Sequence, residues 1–407
     1  VAIATLNNID RTLVLALAEP IKREFGLSDS ALGLLPSVFA ISYSIVGIPV
    51  GMLVDRMNRV RLLAFLLALW SAATVMGGFA PSFRALLLAR IGLATAESGS
   101  VPTSMSLITD LFPPARRGAA IGLYFFNNAI ALTAGFAMAG VIARHFGWRA
   151  AFFISGTPGL FLALFVILAL REPARGAFER PVAEPERRPT IIEIVATVWR
   201  RKALLLLAVA AVLVIAVQAG ITAFIAPFFS RVHHLPDDKA GILVGVVLGA
   251  GFAIGTPLGG LFSDRLSRRS AQGGCRFVAA VVFLAAPFAV AAFLSPGVVI
   301  SAICLFIYAT MGASYYAGAF SLYLGLAPTA MRGALGAFLM VLMNLAGYGL
   351  GPQLAGVMSD LASHAGAADP LRLALSLMTI MLVIASVFFL SAGRAMVAEE
   401  LLMSAAA

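Results

Sequence analysis

The residues of this chain that could do chemistry are four charges set inside long apolar stretches: Asp10, Arg11, Arg90 and Glu97. A charge at bilayer depth costs roughly 2.5–3.5 kcal/mol even on insertion scales, so such groups face a cavity and pair with one another. Arg90 precedes Glu97 by two helical turns, about 10 Å along one helix face. The chemistry that fits is a headgroup site joined to a proton site. Arg11 and Arg90 are the expected contacts of an anionic headgroup, and Asp10 and Glu97 the expected carriers of protons. Burial favours a neutral carboxyl and a nearby guanidinium a charged one, so a site whose access changes can link protonation to conformation. The competing reading is a static ion-pair network joining two helices, a task that apolar packing would serve as well.

Other chemistries lack their residues. The lysines are Lys22, Lys202 and Lys239, and none follows a glycine, so no phosphate-cradling ATP loop is present. Energy must then come from an ion or substrate gradient. His145, His233, His234 and His364 form no His-x-x-x-His pair, and no Gly-x-Ser-x-Gly elbow occurs. No catalytic residue, metal or cofactor is expected, which argues against an enzyme. Cys275 and Cys304 support no disulfide framework.

The elements that must position the charges are membrane helices. Of 407 residues, 61% are hydrophobic and only 12% charged, with a mean hydropathy of +0.97. A soluble protein carries about 25% charged residues, so lipid covers most of this exterior. Apolar stretches long enough to cross ~30 Å of hydrocarbon fall at 1–20, 31–54, 62–80, 84–111, 117–143, 149–170, 203–230, 240–263, 276–295, 297–326, 333–361 and 371–393. These are twelve expected spans of an all-α membrane protein. The chain opens at Val1 with the first span already under way, which points to sequence preceding it.

The net charge of +10 is not that of a nucleic-acid binder, because the basic residues sit in short loops between spans. Most of the 29 Lys and Arg residues follow even-numbered spans. The positive-inside rule places both termini and the long central loop in the cytoplasm, in a multi-pass protein of the cell (inner or plasma) membrane. That loop, 171–202, holds Pro173, Pro181, Pro185 and Pro189 and reads as a linker between residues 1–170 and 203–407. Its stretch 190–200 is expected to form a short amphipathic helix on the membrane surface.

The two halves repeat. Gly51-Met-Leu-Val-Asp55-Arg56-Met-Asn-Arg59 after span 2 matches Gly260-Leu-Phe-Ser-Asp264-Arg265-Leu-Ser-Arg268 after span 8. Arg117-Gly118 opening span 5 recurs as Arg332-Gly333 opening span 11. Two six-helix bundles related as parallel repeats are one way to build alternating access around a central site.

On these motifs the chain resembles the major facilitator superfamily over its whole length. The family signature Gly-x-Leu-x-Asp-Arg-x-Gly-Arg-basic stands here as Gly51, Leu53, Asp55, Arg56 and Arg59, with Asn58 and Val60 departing from it. The resemblance implies a conformational latch: Gly51, Asp55, Arg56 and Arg59, the acid Asp110 ending span 4, and Asp264 with Arg265 in the repeat. In the family its Asp approaches the start of span 11, where a helix N-terminus favours a carboxylate, and its Arg pairs with the acid ending span 4.

Further segments resemble the spinster-like branch, whose animal members export sphingosine-1-phosphate and related lysolipids. They are Asn7-Asn-Ile-Asp10-Arg11, Ala18-Glu-Pro-Ile-Lys22, Arg90 with Glu97, Asp110-Leu-Phe-Pro-Pro-Ala-Arg-Arg-Gly118, and Asn344-Leu-Ala-Gly347-Tyr-Gly349-Leu-Gly351-Pro352. The resemblance implies a bacterial-type secondary transporter of an amphiphilic lysolipid-like or sphingolipid-like substrate, coupled to protons and working as a monomer in the bilayer. The Asp-Arg pair in span 1 also occurs in organic-anion symporters, so a proton-coupled symporter of a small organic anion stays open. A non-transporting sensor on the same scaffold is the reading from a different class.

Spans 7 and 10 carry no charge where spans 1 and 4 do, so one wall of the substrate cavity should be polar and the other apolar. Asn7, Phe126, Asn127 and Asn128 are expected on the first wall. Phe224, Phe228, Tyr315, Tyr316 and Asn344 are expected on the second. Gly241, Gly245 and Gly249 read as a close helix-packing seam and not as a site.

Overall fold

The computed structural model describes residues 1–175, 178, 189–267 and 270–406. Among the described residues the chain is helical and contains no strand. The first half is built of α1 (Ala2–Ala16), α2 (Ala18–Phe25), α3 (Asp29–Arg56), α4 (Arg59–Gly78), α5 (Phe83–Glu97), α6 (Ser100–Leu111), α7 (Pro114–Phe146) and α8 (Trp148–Ala169). After the linker come α9 (Ile191–Arg200), α10 (Lys202–Arg231), α11 (Asp237–Ser267), α12 (Ala271–Leu294) and α13 (Val298–Leu326). The chain ends in α14 (Arg332–Leu342), a π-helical turn at Met343–Tyr348, α15 (Gly349–His364), α16 (Pro370–Met378) and α17 (Ile380–Ala406).

These helices make twelve membrane crossings. Ten candidate spans are long and apolar enough by length and composition. Spans 1 and 4, which carry the expected site charges, are each broken into two shorter helices, α1–α2 and α5–α6. The cause is the same in both. Pro20 is the third residue of α2 and Pro102 the third of α6. Lacking an N–H, they leave the carbonyls of Ala16 and Ser98 without the usual helical donor, and their rings crowd the preceding turn. Pro352 acts likewise on Tyr348, where the π-helical turn of span 11 ends. Asp10, Arg11, Arg90 and Glu97 thus lie on the segments just before these breaks.

The described chain forms two compact units, one of residues 1–183 and 222–249, the other of residues 184–221 and 250–407. The stretch 222–249 therefore groups with the N-terminal helices, whereas the order of the chain alone assigns it to the C-terminal half. The glycine seam explains this. A Cβ on Gly241 would stand 2.6 Å from the Phe136 carbonyl oxygen, and one on Gly245 would stand 2.7 Å from that of Thr133. A Cβ on Gly249 would overlap the Thr133 hydroxyl. The first half of α11 thus lies directly on the backbone of α7. Gly245→Ala should push these helices apart and cost about 1–3 kcal/mol, the usual penalty for overpacking. Thermal unfolding in detergent measures it, and an unchanged midpoint would show that the seam yields freely.

Candidate functional site

The four charges come together in the first unit, cross-paired between α1 and α5. Arg11 Nε donates to Glu97 Oε2 at 2.9 Å. Arg90 Nη1 donates to the backbone carbonyl of Asp10 at 3.1 Å. Asp10 accepts from the Ser155 hydroxyl of α8. Asp10, Arg90 and Glu97 are buried, whereas the Arg11 side chain is 28% exposed. Three of the charges are thus sealed among helices, and the fourth reaches open space.

Aromatic rings hold the arginines. The Arg11 guanidinium carbon lies 4.6 Å from the Tyr43 ring centre and 5.0 Å from that of Phe39. That of Arg90 lies 4.9 Å from the Phe39 ring centre. Phe39 and Tyr43 are one helical turn apart on α3 and stack on each other. Desolvated cation–π contacts of this kind contribute up to ~2 kcal/mol each. Several buried polar atoms have no partner among the described residues: Asn7 Nδ2, Arg11 Nη2, Arg90 Nε and Glu97 Oε1. Unspent donors and an acceptor around one ion pair are what a polar ligand or a proton would engage.

The other expected contacts are placed unevenly. Asn127 is buried, and its Oδ1 accepts from Asn8 Nδ2 at 2.7 Å. The α1 partner of Asn127 is therefore Asn8, while Asn7 is buried. Phe126 and Asn128 are exposed. Phe224 and Phe228 belong to the first unit and are fully buried. Phe224 packs beside Val14, Leu35 and Pro36, and Phe228 meets Phe229 and His233 edge-on. In the second unit Tyr315 is fully buried against Phe389, while Tyr316 is exposed and stacks on Phe320. Asn344 sits in the π-helical turn and donates to the Met340 carbonyl. The second unit is less apolar inside than its lack of charge suggests. It buries the hydroxyls of Tyr308, Tyr315 and Tyr323 with no partner among the described residues, and Gln218 Nε2 donates to the Gly312 carbonyl at 2.7 Å.

At the loop after span 2, Arg59 is 1% exposed and carries an ion-pair cluster. Its Nη1 donates to Asp110 and to the Ser106 hydroxyl. Its Nε donates to Glu172 at 2.7 Å, and its Nη2 to the Pro173 carbonyl at 2.9 Å. Glu172 also accepts from the backbone N–H of Val60 at 2.9 Å. Arg175 Nη2 donates to the carbonyls of Val54 and Met57. The start of the linker is thereby pinned under the Gly51–Arg59 loop. Gly51 has open space where a Cβ would stand, and Arg56 and Arg265 are exposed. The side chains of Asp55 and Asp264 lie outside the described residues. Asn8, Phe39, Tyr43, Ser155, Glu172 and Arg175 are the participants that reasoning from sequence missed. Only the one-turn spacing of Phe39 and Tyr43, and the place of Glu172 as the first acid after span 6, signalled them.

The opposite end of the first unit is tied by a second ion-pair network. Arg231, closing α10, donates to Glu19 at 2.7 Å and to both oxygens of Asp29 at 2.8 and 2.9 Å. Asp29 also pairs with Lys22. Arg23 bridges to Asp237 at 3.0 Å, and Arg144 to Asp238 at 2.7 Å. Nearby, the Trp148 indole N–H and the Arg149 guanidinium both donate to Glu24, which holds its carboxyl below the usual range.

With this fold and these clusters in view, the chain belongs to the Major Facilitator Superfamily, whose sequence profile matches residues 1–352. It is a multi-pass membrane transporter that works by alternating access on a small-molecule substrate, and not an enzyme. Within the family it is of the spinster-like branch. It is 30% identical to a bacterial homologue of the human lysosomal transporter Spinster, solved in an inward-facing, unoccupied conformation. That likeness has a TM-score of 0.87 over 97% of this chain and 95% of the other. Against the inward-facing, occupied conformation the TM-score is 0.84 at the same identity and coverage. An MFS-type efflux pump of Mycolicibacterium smegmatis (strain ATCC 700084 / mc(2)155) is 28% identical over 365 residues, 88% of this chain and 82% of the relative. A D-xylose-proton symporter, 18% identical with a TM-score of 0.72 over 95% of this chain and 96% of its own, shares the fold alone.

Proposed function

We propose that the chain exports an amphiphilic, lysolipid-like molecule with an anionic headgroup in exchange for protons. The observation that carries this is the Arg11–Glu97 pair, buried on the glutamate side and open on the arginine side. An anion arriving from the open side meets the exposed part of the Arg11 side chain, and drawing it outward frees the buried Nη2, which has no hydrogen-bond partner among the described residues. Drawing Arg11 away leaves Glu97 alone in a buried place, and a proton is the species small enough to neutralise it there. Substrate and proton thus compete for one guanidinium, which is the logic of exchange. Asp10, held by Ser155 and beside Arg90, is the second proton carrier. Membership of the spinster-like branch supports the lipid-like substrate, and the named activity of the mycobacterial relative supports outward transport.

The loop clusters supply the conformational part. The Gly51–Arg59 loop, with Asp55, Arg56 and Asp110, and its repeat at Asp264 and Arg265, forms the latch that closes one face during the cycle. The Arg231–Asp29–Glu19 network does the same at the other end. Breaking one while the other holds is the minimum that alternating access needs.

Tail length decides the substrate class. In binding measured by tryptophan fluorescence on purified protein, affinity should rise with the acyl chain, each buried CH2 contributing about 0.8 kcal/mol. Affinity that ignores the chain and follows carboxylate or sugar groups would give the site to a small organic anion instead.

A further inference from the structure

An apolar groove opens in the second unit beside the linker helix. The amphipathic helix α9 begins at a capping box, with Thr190 accepting from the N–H of Glu193 and the Glu193 side chain accepting from the N–H of Thr190. Helix α9 does not seal against the unit. Between α9, the first half of α10 and α14 runs a groove of about 260 Å3, lined by Val198, Trp199, Val209, Leu213, Phe338 and Leu342 among other apolar side chains. That is just below the ~300–1,000 Å3 of pockets for whole drug-sized ligands, the size for one hydrocarbon chain. No polar side chain lines it, so a chain and not a headgroup fits. The outward residues of α9, Ile191, Ile192, Val195 and Trp199, are exposed, as on a helix lying in a lipid interface.

Cations stand at the ends of the helices that line this groove. Arg200 ends α9, Lys202 opens α10, and Arg332 opens α14. Arg332 follows Met331, whose sulfur meets the Thr197 hydroxyl of α9. Arg200, Lys202 and Arg332 are exposed, and no ion pair engages them among the described residues. Their neighbour Arg201 is spent on the Leu326 carbonyl. The nearby acids are also engaged, Glu193 in the capping box and Glu399 on the N–H of Ala203. A helix N-terminus at each of Lys202 and Arg332 adds further positive potential. An apolar slot for a chain, with cations nearby that no ion pair engages among the described residues, matches the two parts that an anionic phospholipid presents together.

We infer that this groove holds an anionic phospholipid, one acyl chain between α9, α10 and α14 and the phosphate on Arg200, Lys202 and Arg332. The lipid acts as a wedge that keeps the linker helix seated on the second unit. The test is native mass spectrometry of the purified full chain titrated with phosphatidylglycerol or with phosphatidylcholine of the same acyl chains. Wild-type protein should retain phosphatidylglycerol at concentrations at least about tenfold lower, each cation contributing roughly fivefold near the surface. Removing the charges in R200Q/K202Q/R332Q should erase the preference. Filling the slot with Val209→Trp should weaken retention of phosphatidylglycerol although every cation remains. Equal retention of the two lipids by wild-type protein overturns the inference without reliance on any variant. Undiminished phosphatidylglycerol on the Val209→Trp protein shows headgroup attraction alone and overturns it too. Displacement by a lysolipid at equal affinity would make the groove a substrate entrance and not a resident lipid site.

Discussion

Glu97→Gln and Asp10→Asn are each expected to abolish pH-driven transport while leaving the fold intact. An amide copies the shape of the protonated acid, so the buried space around Glu97 stays filled and its partners keep an acceptor. What disappears is the ability to change charge. A coupling free energy of about 1–3 kcal/mol between proton and substrate corresponds to a roughly 5–150-fold effect, and neutralising the carrier removes all of it. Substrate binding should survive in at least one of the two proteins, because a neutral glutamine holds the Arg11 guanidinium less tightly than a carboxylate does and leaves it available to an anion. Uptake into proteoliposomes with and without an imposed pH gradient measures the effect. Wild-type transport that ignores the gradient, or a full gradient response from the doubly neutralised protein, would leave the cluster as structure.

Much of this site was legible beforehand, for a physical reason. Charges inside apolar spans are so costly that their positions alone point to a pairing cavity, and Asp10, Arg11, Arg90 and Glu97 do meet. The pairing itself was not legible. Spacing along span 4 puts Arg90 and Glu97 on one helix face and assigns neither a partner, whereas Arg11 takes Glu97 and Arg90 turns to the Asp10 carbonyl. One-dimensional spacing gives the face of a helix and not the height at which two helices meet. The prolines that break spans 1 and 4 could be read as tolerated irregularities, but not as breaks placed just after the charges.

The fold was legible from span lengths and from the repeated Gly-Asp-Arg loop, both properties that survive without any knowledge of packing. The glycine series in span 8 was legible as a seam because only close backbone approach needs such residues in a row. Its partner, α7, was not, and so the grouping of 222–249 with the first unit was missed. Phe224 and Phe228 illustrate the limit. An aromatic in an uncharged span can line a cavity or fill a core, and composition does not distinguish the two. Their complete burial favours the core.

Arg59→Leu should be among the most damaging single changes outside the charge cluster. The side chain of Arg59 is 2% exposed and pairs with both Asp110 and Glu172. Removing one partner from a buried pair typically costs about 3–5 kcal/mol, because the opposite charge stays behind without compensation. Here two carboxylates stay behind, and they face each other across the space the guanidinium left. The pinned segment Glu172–Arg175 should also loosen at its start, since among the described residues Glu172 would keep the N–H of Val60 alone, while Arg175 still holds the carbonyls of Val54 and Met57. Arg59→Lys should recover part of the loss and no more, since an ammonium cannot serve Asp110, Glu172 and the Pro173 carbonyl with the geometry of a planar fork. Adding Asp110→Asn and Glu172→Gln to Arg59→Leu separates charge from shape. If stranded charge is the cause, thermal unfolding in detergent should show the triple variant melting above Arg59→Leu. If the cluster serves as the proposed latch, the triple variant's transport should stay low all the same, because no charge pair is left to break when the carrier turns. A triple variant that transports at the wild-type rate would reduce this cluster to an anchor for the linker.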